Sequence, residues 1–284
     1  LIPPSIMLVV MGPILNVPVT DLFAAAIMPG LMLAVLYTGY TLIRCHLNPN
    51  LGPVVPEDLI PDSMREVWTE FFKGLVPPVL LVGSSLGSIL AGLATPTEGA
   101  AMGAVGSIIL TLAYRKLTFE SFKSALLKTL EITTLIMVLV CASNFFGSVF
   151  SRLGTPTMIT EYLMLLDLPP IAILLIIMAF IFLLAWPLEW VPIVLIIIPI
   201  VLPLIEQLGF NLTWFGILVA VNLQTAWLSP PVALSAYFLK GVVPEWDLGD
   251  IYKGMMQFMA IQVVGLALII IFPQIVLWLP TYLY

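Results

Sequence analysis

Charged residues, histidine and cysteine are scarce in this sequence. Charged residues make up 9% of the 284 residues, against roughly 25% in soluble globular proteins, whereas 61% are hydrophobic. The one histidine, His46, and the two cysteines, Cys45 and Cys141, show no metal-ligand or redox spacing. The lysines and arginines form no basic patch, so nucleic acid is not an expected partner. The composition therefore excludes an ordinary soluble domain and favours a membrane protein.

Long uncharged runs, by contrast, are abundant. The segments 22–43, 132–151 and 254–284 contain no Asp, Glu, Lys or Arg. Each is long enough to cross the ~30 Å hydrocarbon core of a bilayer as a helix. We predict an all-α polytopic membrane protein embedded in the lipid bilayer.

Other apolar segments are short or interrupted. The runs 170–186 and 192–205 are separated by "PLEW" and are short for membrane spans. They predict a re-entrant hairpin over 170–208, and the alternative is one kinked helix followed by a buried core helix. The run 211–239 contains Ser229-Pro230-Pro231. Because proline has no N–H to donate, we expect a discontinuous helix over 211–240, made of two half-helices joined by unwound chain.

The distribution of Lys and Arg predicts the topology. Segments 44–73 and 115–128 carry most of the positive charges and are expected in the cytoplasm. The chain between them therefore crosses the membrane an even number of times. The elements that follow from this topology are arms at 74–114 joined at "ATPTEG", an interfacial helix at 116–128, a span at 129–151, an external segment at 152–169, the hairpin at 170–208, the broken helix at 211–240 and a last span at 247–280.

Two parts of the chain share a pattern and have opposite predicted orientations. The segments that start at Ile2 and Ser229 each show Pro-Pro, an apolar half-helix, a glycine, a proline turn and a long span. Such a pair is the inverted repeat of a secondary transporter. Residues 1–43 then end a first repeat, 44–73 form a cytoplasmic connector and 74–284 form the second repeat. Because the chain opens on Leu1 and not Met, we expect it to be the C-terminal portion of a longer protein.

Oxygen-bearing side chains beside the second Pro-Pro pair indicate an ion site. Sodium prefers hard oxygen ligands, and an unwound helix frees backbone carbonyls. Side-chain oxygens lie at the same place, those of Asn222, Gln224, Thr225 and Ser229. The alternative role of these side chains is hydrogen bonding between helices.

Two glutamates fall within predicted membrane segments. Glu189 and Glu98 would each cost about 2.5–3.5 kcal/mol to insert, so both are candidates for a functional role. For Glu98 the alternative is a helix cap, because it follows Thr95-Pro96-Thr97. An intramembrane enzyme is disfavoured, since the sequence has no His-Glu-x-x-His motif and no nucleophile elbow. A purely structural subunit would have continuous helices and no buried acids.

Four stretches resemble the large permease subunit of TRAP (tripartite ATP-independent periplasmic) transporters. They are "IPPS" at 2–5, "LATPTEGAA" at 93–101, "WPLEWVPIVLIIIPIVLP" at 186–203 and "FGILVAVNLQTAWLSPPV" at 215–232. The resemblance covers nearly the whole chain. It implies an elevator-type importer, not an enzyme, that couples organic-acid uptake to Na+ and needs no other cofactor. It also implies a small membrane permease subunit and a periplasmic substrate-binding protein as partners, and the bacterial inner membrane as the location.

The resemblance further implies the residues of the site. It places substrate and ion at Pro4, Ser5, Glu189, Trp190, Asn222, Gln224, Thr225, Ser229, Pro230 and Pro231, with Na+ near Glu189, Asn222, Thr225 and Ser229. Thr95, Pro96, Thr97 and Glu98 form a family motif with a structural or functional role. Many members have Met-Asp-Pro where this chain has Leu188-Glu189-Trp190, so the carboxylate is kept but reaches one methylene further. A first-repeat hairpin is expected before Leu1. The alternative function is a stand-alone sodium/dicarboxylate-type symporter of similar inverted-repeat fold.

Overall fold

The computed structural model describes residues 1–52, 63–230 and 233–283. Within these ranges the chain forms helices and no β-strand, which confirms the predicted all-α fold. The helices, in chain order, are α1 (Ile6–Leu15), α2 (Val19–Leu47), α3 (Met64–Leu90), α4 (Pro96–Ala113), α5 (Phe119–Arg152), α6 (Thr155–Met164), α7 (Pro170–Ala185), α8 (Trp190–Pro192), α9 (Ile198–Gln207), α10 (Leu212–Leu223), α11 (Leu234–Val242), α12 (Leu248–Ile271) and α13 (Gln274–Leu283).

Several of these helices are long and apolar enough to cross a bilayer. In the described part of the chain there are five of them: Val19–Leu47, Met64–Leu90, Phe119–Arg152, Trp190–Gln207 and Leu248–Ile271. Helices α1, α7, α10 and α13 are shorter but equally apolar in character. The protein is therefore a polytopic helical membrane protein, as predicted.

The chain divides into two compact units. The first comprises Leu1–Leu36 and Glu131–Tyr284, and the second comprises Tyr37–Leu130. Helices α2 and α5 each contribute residues to both units. The residues that sequence analysis assigned to an ion site all belong to the first unit.

Helix α10 lies at the centre of the first unit. Its residues from Trp214 to Leu223 are all buried, as expected for a helix that is apolar on every side. It packs against α1, α7, α12 and α13. A Cβ atom at Gly216 would lie 2.6 Å from Leu15 Cδ1, so this glycine permits the close approach of α1. Trp214 Nε1 also donates a hydrogen bond of 3.1 Å to the Ile269 carbonyl of α12.

The hairpin over 170–208 has a second arm that is longer than predicted. The first arm is α7, and the turn that follows ends at Glu189. The second arm runs over Trp190–Gln207 and consists of α8, a π turn at Ile193–Ile197 and α9, whereas the sequence predicted an arm at 192–205. The second arm starts two residues before Pro192, because proline is tolerated in the first turn of a helix. The re-entrant course of the hairpin stays a prediction.

Helix α5 replaces two predicted elements. Sequence analysis expected an interfacial helix at 116–128 followed by a span at 129–151, but one continuous helix covers Phe119–Arg152. No glycine or proline occurs between Phe119 and Phe146, so nothing interrupts the backbone hydrogen bonds where the charged residues give way to apolar ones.

Three other boundaries differ from the prediction. The segment 44–73 is partly helical, because α2 continues to Leu47 and α3 starts at Met64, where the Ser63 hydroxyl accepts a hydrogen bond of 3.2 Å from the Arg65 amide. The last span ends at Ile271 and does not reach residue 280, because Pro273 disfavours the helical conformation at Phe272 and has no N–H to donate to the preceding turn. The segment 152–169, predicted to be external, contains α6, which was not predicted.

In the second unit, α3 and α4 form an antiparallel pair. The Ser85 hydroxyl donates a hydrogen bond of 2.6 Å to the Gly99 carbonyl. A Cβ atom at Gly99 would lie 2.5 Å from Ile89 Cδ1, so the glycine permits this close contact. At the other end of the pair, the Tyr114 hydroxyl donates to the Lys73 carbonyl at 2.6 Å.

Candidate functional site

An interruption separates α10 from α11 deep in the first unit. Helix α10 ends at Leu223, one 3-10 turn follows at Gln224–Trp227, and the next helix begins at Leu234. Pro230 lies in the interruption, and its missing N–H leaves the carbonyl of the preceding turn without a helical donor. Pro231, the other proline of the predicted site, lies outside the described residues. The interruption thus exposes backbone polar groups inside a membrane protein.

Three polar side chains at the interruption are almost completely buried. The exposed fractions of Asn222, Thr225 and Ser229 are 0%, 1% and 0%. Asn222 Nδ2 donates to the Met178 carbonyl of α7 at 2.8 Å, and Thr225 Oγ1 donates to the Asn222 carbonyl at 2.7 Å. The helix–helix hydrogen bond considered as the alternative role is therefore real for the nitrogen of Asn222.

Two oxygen atoms at the same place remain without a partner. Asn222 Oδ1 and Ser229 Oγ are buried and have no hydrogen-bond partner within the described part of the chain. Buried polar atoms are nearly always paired in native proteins, because an unpaired one costs about 1–3 kcal/mol. The two atoms belong to residues that flank the 3-10 turn Gln224–Trp227, so hydrogen bonding is incomplete on both sides of this turn.

The first arm of the hairpin contacts the interrupted helix. Helix α7 packs against α10 and against the 3-10 turn Gln224–Trp227. At the end of α7, Trp186 Nε1 is a buried donor with no partner among the described residues. Glu189 and Trp190, which follow it, are half-buried, and Glu189 forms no hydrogen bond with Asn222 or Ser229 in the described structure.

Two residues of this region were missed by sequence analysis. Gln262 of α12 is 1% exposed, and its Nε2 donates to the Val221 carbonyl at 2.9 Å and to Gln224 Oε1 at 2.8 Å. It therefore holds the Gln224 side chain against α12. The sequence feature that could have identified Gln262 is an amide side chain in an otherwise apolar span. Trp186 is the second missed residue, and its signal was an indole N–H at the end of an apolar arm.

The predicted residues of the first repeat lie at the start of α1. Pro4 is exposed and Ser5 is half-buried, and the Ser5 carbonyl accepts a hydrogen bond of 3.2 Å from the Val9 amide. Helix α1 packs against α10, α9 and the π turn. Pro4 and Ser5 thus belong to the same unit as the interruption, but no hydrogen bond between described residues joins Ser5 to Ser229.

The family-motif residues of the second unit form a helix cap. The Thr95 hydroxyl accepts from the Glu98 amide at 3.3 Å, and Glu98 Oε2 accepts from the Thr95 amide at 2.8 Å and from its hydroxyl at 2.9 Å. Pro96 occupies the first position of α4, where proline is favoured, and Thr97 follows it. The Glu98 carboxylate therefore acts as a reciprocal cap, which is the structural alternative considered for it.

A cavity of about 850 Å³ borders the interruption at Leu228. It reaches from Leu228 to α12, and Glu245, Asp247 and Asp250 line it together with Trp246 and Phe258. Lys253 pairs with Asp250 at 2.9 Å and Lys240 Nζ donates to the Pro244 carbonyl at 2.7 Å, so basic groups neutralise part of the negative charge of this wall.

Discontinuous helices around buried polar groups are a construction found in secondary transporters. Residues 1–275 match the family described as "Tripartite ATP-independent periplasmic transporter, DctM component". The chain belongs to this family, which confirms the resemblance seen in the sequence.

Curated relatives include permeases for different acids. The chain is 26% identical to the sialic acid TRAP transporter permease protein SiaT of Haemophilus influenzae, over 100% of the chain and 45% of that protein. It is 27% identical to the sialic acid large permease protein SiaM of Vibrio cholerae, over 99% and 64%. It is 29% identical to the C4-dicarboxylate large permease protein DctM of Pseudomonas aeruginosa, over 100% and 65%. The chain thus spans about half to two thirds of the length of these relatives.

The hydrogen bonds of Gln262 give a prediction about stability. Gln262→Leu keeps the side-chain volume but removes the donor to Val221 and Gln224, and we expect the free energy of unfolding to fall by about 1–2 kcal/mol. Thermal unfolding in detergent measures this loss. Gln274→Leu, at the exposed first position of α13, is the matched control, and equal melting temperatures of the two variants would contradict the assignment.

Proposed function

We propose that this chain is part of the large permease subunit of a sodium-coupled, binding-protein-dependent transporter that imports organic acids across the bacterial inner membrane. Membership of the DctM component family supports the proposal. The named relatives are permeases for sialic acid, C4-dicarboxylates and 2,3-diketo-L-gulonate, which are all organic acids. Sodium coupling and an elevator mechanism come from the resemblance and the chemistry of the interruption.

The pair of partnerless oxygens carries the sodium part of the proposal. Sodium is a hard cation that takes oxygen ligands, and Asn222 Oδ1, Ser229 Oγ and the remaining lone pair of Thr225 Oγ1 are such ligands. Carbonyls released by the interruption complete the shell. Burial strengthens the attraction, because the low dielectric of the surroundings screens it less than water does. The Glu189 carboxylate on the half-buried hairpin turn adds a negative charge that favours a cation in this region.

The carboxylate of an organic-acid substrate requires hydrogen-bond donors, whereas a cation requires oxygen ligands. A carboxylate accepts hydrogen bonds, and Trp186 Nε1 at the end of α7 is a buried donor without a partner among the described residues. We assign this N–H to the substrate, because a donor cannot bind sodium but can orient an anion. The bound cation also offsets the repulsion between the anion and Glu189.

Coupling follows from the shared contacts of the ion site. Asn222 joins α10 to α7 through Met178, and Gln262 joins the 3-10 turn to α12. Sodium bound to Asn222 and Ser229 would hold α10, the interruption and the first arm of the hairpin in one arrangement. A ligand shifts an equilibrium only by its difference in affinity for the two states. Sodium therefore promotes uptake in this proposal because the arrangement that it favours is the one that accepts substrate.

The first test removes one oxygen of the proposed ion site. In Ser229→Ala we expect the sodium concentration for half-maximal uptake to rise about tenfold, which corresponds to one lost ligand interaction of about 1.4 kcal/mol. Sodium-titrated uptake in liposomes by the complete transporter measures it. Ser148→Ala is the control, since the exposed Ser148 hydroxyl donates to its own helix at Asn144. Unchanged sodium dependence in both Ser229→Ala and Thr225→Ala would move the ion site elsewhere.

The second test compares the two glutamates. Glu189→Gln removes the charge beside the proposed site, so we expect uptake to fall at least about tenfold. Glu98→Gln keeps an acceptor for the Thr95 amide, as in a capping box with glutamine, and we expect uptake to change less than about twofold. Initial uptake rates at saturating sodium, normalised to the amount of inserted protein, give the comparison. Equal losses in both variants would refute the assignment of Glu98 to a structural cap and Glu189 to transport.

The third test concerns the partners. The complete large permease reconstituted alone should give negligible uptake, and addition of the small membrane subunit and the periplasmic binding protein should restore it. The physical reason is that a binding protein is expected to deliver the substrate in the state that the permease accepts. Full sodium-driven transport by the large permease alone would instead establish the stand-alone symporter.

A further inference from the structure

The cavity of about 850 Å³ beside the interruption lies between α11 and α12. Much of its wall is apolar, formed by Leu228, Leu239, Ile251, Met255 and Phe258. Gly254 also lines it, and a Cβ atom at this position would meet no neighbouring atom within 4 Å. The volume is many times the ~30 Å³ of one water molecule, and close-packed proteins contain few voids of this size. The cavity therefore needs an occupant from outside the described residues.

Helices α2 and α12 meet at equivalent positions of the predicted inverted repeat. The repeat aligns Asp21 with Asp250, and therefore Leu36 with Gly265. A Cβ atom at Gly265 would lie 3.7 Å from Leu36 Cδ1 and 2.5 Å from Leu33 Cδ2. Two elements related by a twofold axis touch each other at equivalent residues where they pass the axis. The contact fits a repeat in which α1 and α2 correspond to α11 and α12.

In the first of these pairs, the groove between the two helices is filled by α10. A Cβ atom at Gly216 of α10 would lie 2.6 Å from Leu15 Cδ1 of α1 and 3.2 Å from Leu22 Cδ2 of α2. Helix α10 is apolar and buried along most of its length. An apolar helix is therefore what covers the α1–α2 pair.

The cavity is lined by the residues that correspond to this covered face. Leu22, which touches α10, aligns with Ile251 of the cavity wall. The other apolar or small cavity residues of α12 align with residues of α2 that are all buried; the pairs are Ala25 with Gly254, Ala26 with Met255, and Pro29 with Phe258. The second pair of helices thus has the same face as the first, but a cavity where the first pair has a helix.

We propose that the cavity between α11 and α12 receives the first-repeat counterpart of α10, an apolar helix that precedes Pro3-Pro4 in the complete permease. Helix α10 precedes Pro230 in the same way. The named relatives are longer than this chain and contain further segments that can supply such a helix. The proposal rests on the chain being part of a larger permease, as proposed above, but not on sodium coupling or on the substrate.

The charges of the cavity favour a helix over an anionic lipid as the occupant. Its carboxylates, those of Glu245, Asp247 and Asp250, are exposed and repel a phosphate group. The two lysines nearby are engaged, because Lys253 pairs with Asp250 at 2.9 Å and Lys240 Nζ donates to the Pro244 and Trp246 carbonyls. An apolar helix needs no charged partner and leaves the carboxylates in contact with water.

The experiment uses the complete permease with the substitutions Cys45→Ser and Cys141→Ser. Gly254→Cys places one thiol in the cavity wall, and a second cysteine is scanned before Leu1 over a stretch as long as Leu212–Trp227. Oxidation should form a disulfide within one chain from scanned positions that are three or four residues apart, because such positions share one face of a helix. The readout requires no transport, so a failure of the sodium proposal would leave it unchanged.

Labelling of single cysteines with a hydrophilic maleimide gives the matched comparison. Ala25→Cys, at the buried position that aligns with Gly254, is the protected reference, and Glu245→Cys at an exposed position is the reactive one. Gly254→Cys should react as slowly as Ala25→Cys and at least about tenfold more slowly than Glu245→Cys. Fast labelling of Gly254→Cys would overturn the proposal. So would protection without an intrachain disulfide, as a lipid would give, or a disulfide between two chains, as a second copy would give.

A cavity-filling variant tests the proposal independently. In the complete permease, Gly254→Leu puts a side chain where the helix is proposed to pack, and overpacking should lower the melting temperature by about 5 °C. Gly147→Leu on α5 is the control, because a Cβ atom there also meets nothing within 4 Å and leucine favours a helix over glycine. An unchanged or higher melting temperature of Gly254→Leu would contradict the proposal. If this variant fails to insert, the disulfide scan decides.

Discussion

A polar group buried at the depth of a bilayer must find its partner inside the protein, because hydrocarbon offers none. Most of this chain meets the requirement with backbone hydrogen bonds in long helices. The interruption after Trp227 meets it only in part, since the Thr225 carbonyl accepts from the Leu228 and Ser229 amides but Pro230 has no N–H to donate to the preceding turn. Asn222, Gln224 and Gln262 pair part of what is left through α7, α10 and α12. The oxygens that remain define what the site can bind.

The same Asn222 side chain serves two purposes. Its nitrogen fixes α7 against α10 through Met178, and its oxygen is buried without a partner in the described structure. A cation bound to that oxygen, as proposed, would polarise the amide and strengthen the hydrogen bond that the nitrogen donates, since neighbouring bonds in a network reinforce one another. In the proposed ion site, the contact between the helices and the occupancy by a cation would therefore be coupled through one residue.

Composition and proline positions were sufficient to predict the all-α membrane fold and a non-helical segment near Pro230. Helix ends were harder to predict, because a charged residue such as Lys128 marks a membrane surface but does not stop a helix. Pro273 stops one inside an apolar run, where hydropathy alone showed a single span. Gln262 and Trp186 could not be assigned, because no pattern in a single sequence relates an amide on α12 to a turn near residue 224. Capping by Glu98 was predictable, since its partners are three residues away.

The π turn at Ile193–Ile197 has a consequence for the geometry of the hairpin. A π turn holds one residue more than an α turn, and it lies just before Pro199, which has no N–H for the turn that precedes it. Each residue of an α-helix adds about 100° of rotation around its axis. Deletion of one residue here would restore a regular helix but turn Glu189 and Trp190 by that angle relative to α9. The extra residue therefore sets the direction in which the end of the hairpin faces, independently of how far it reaches.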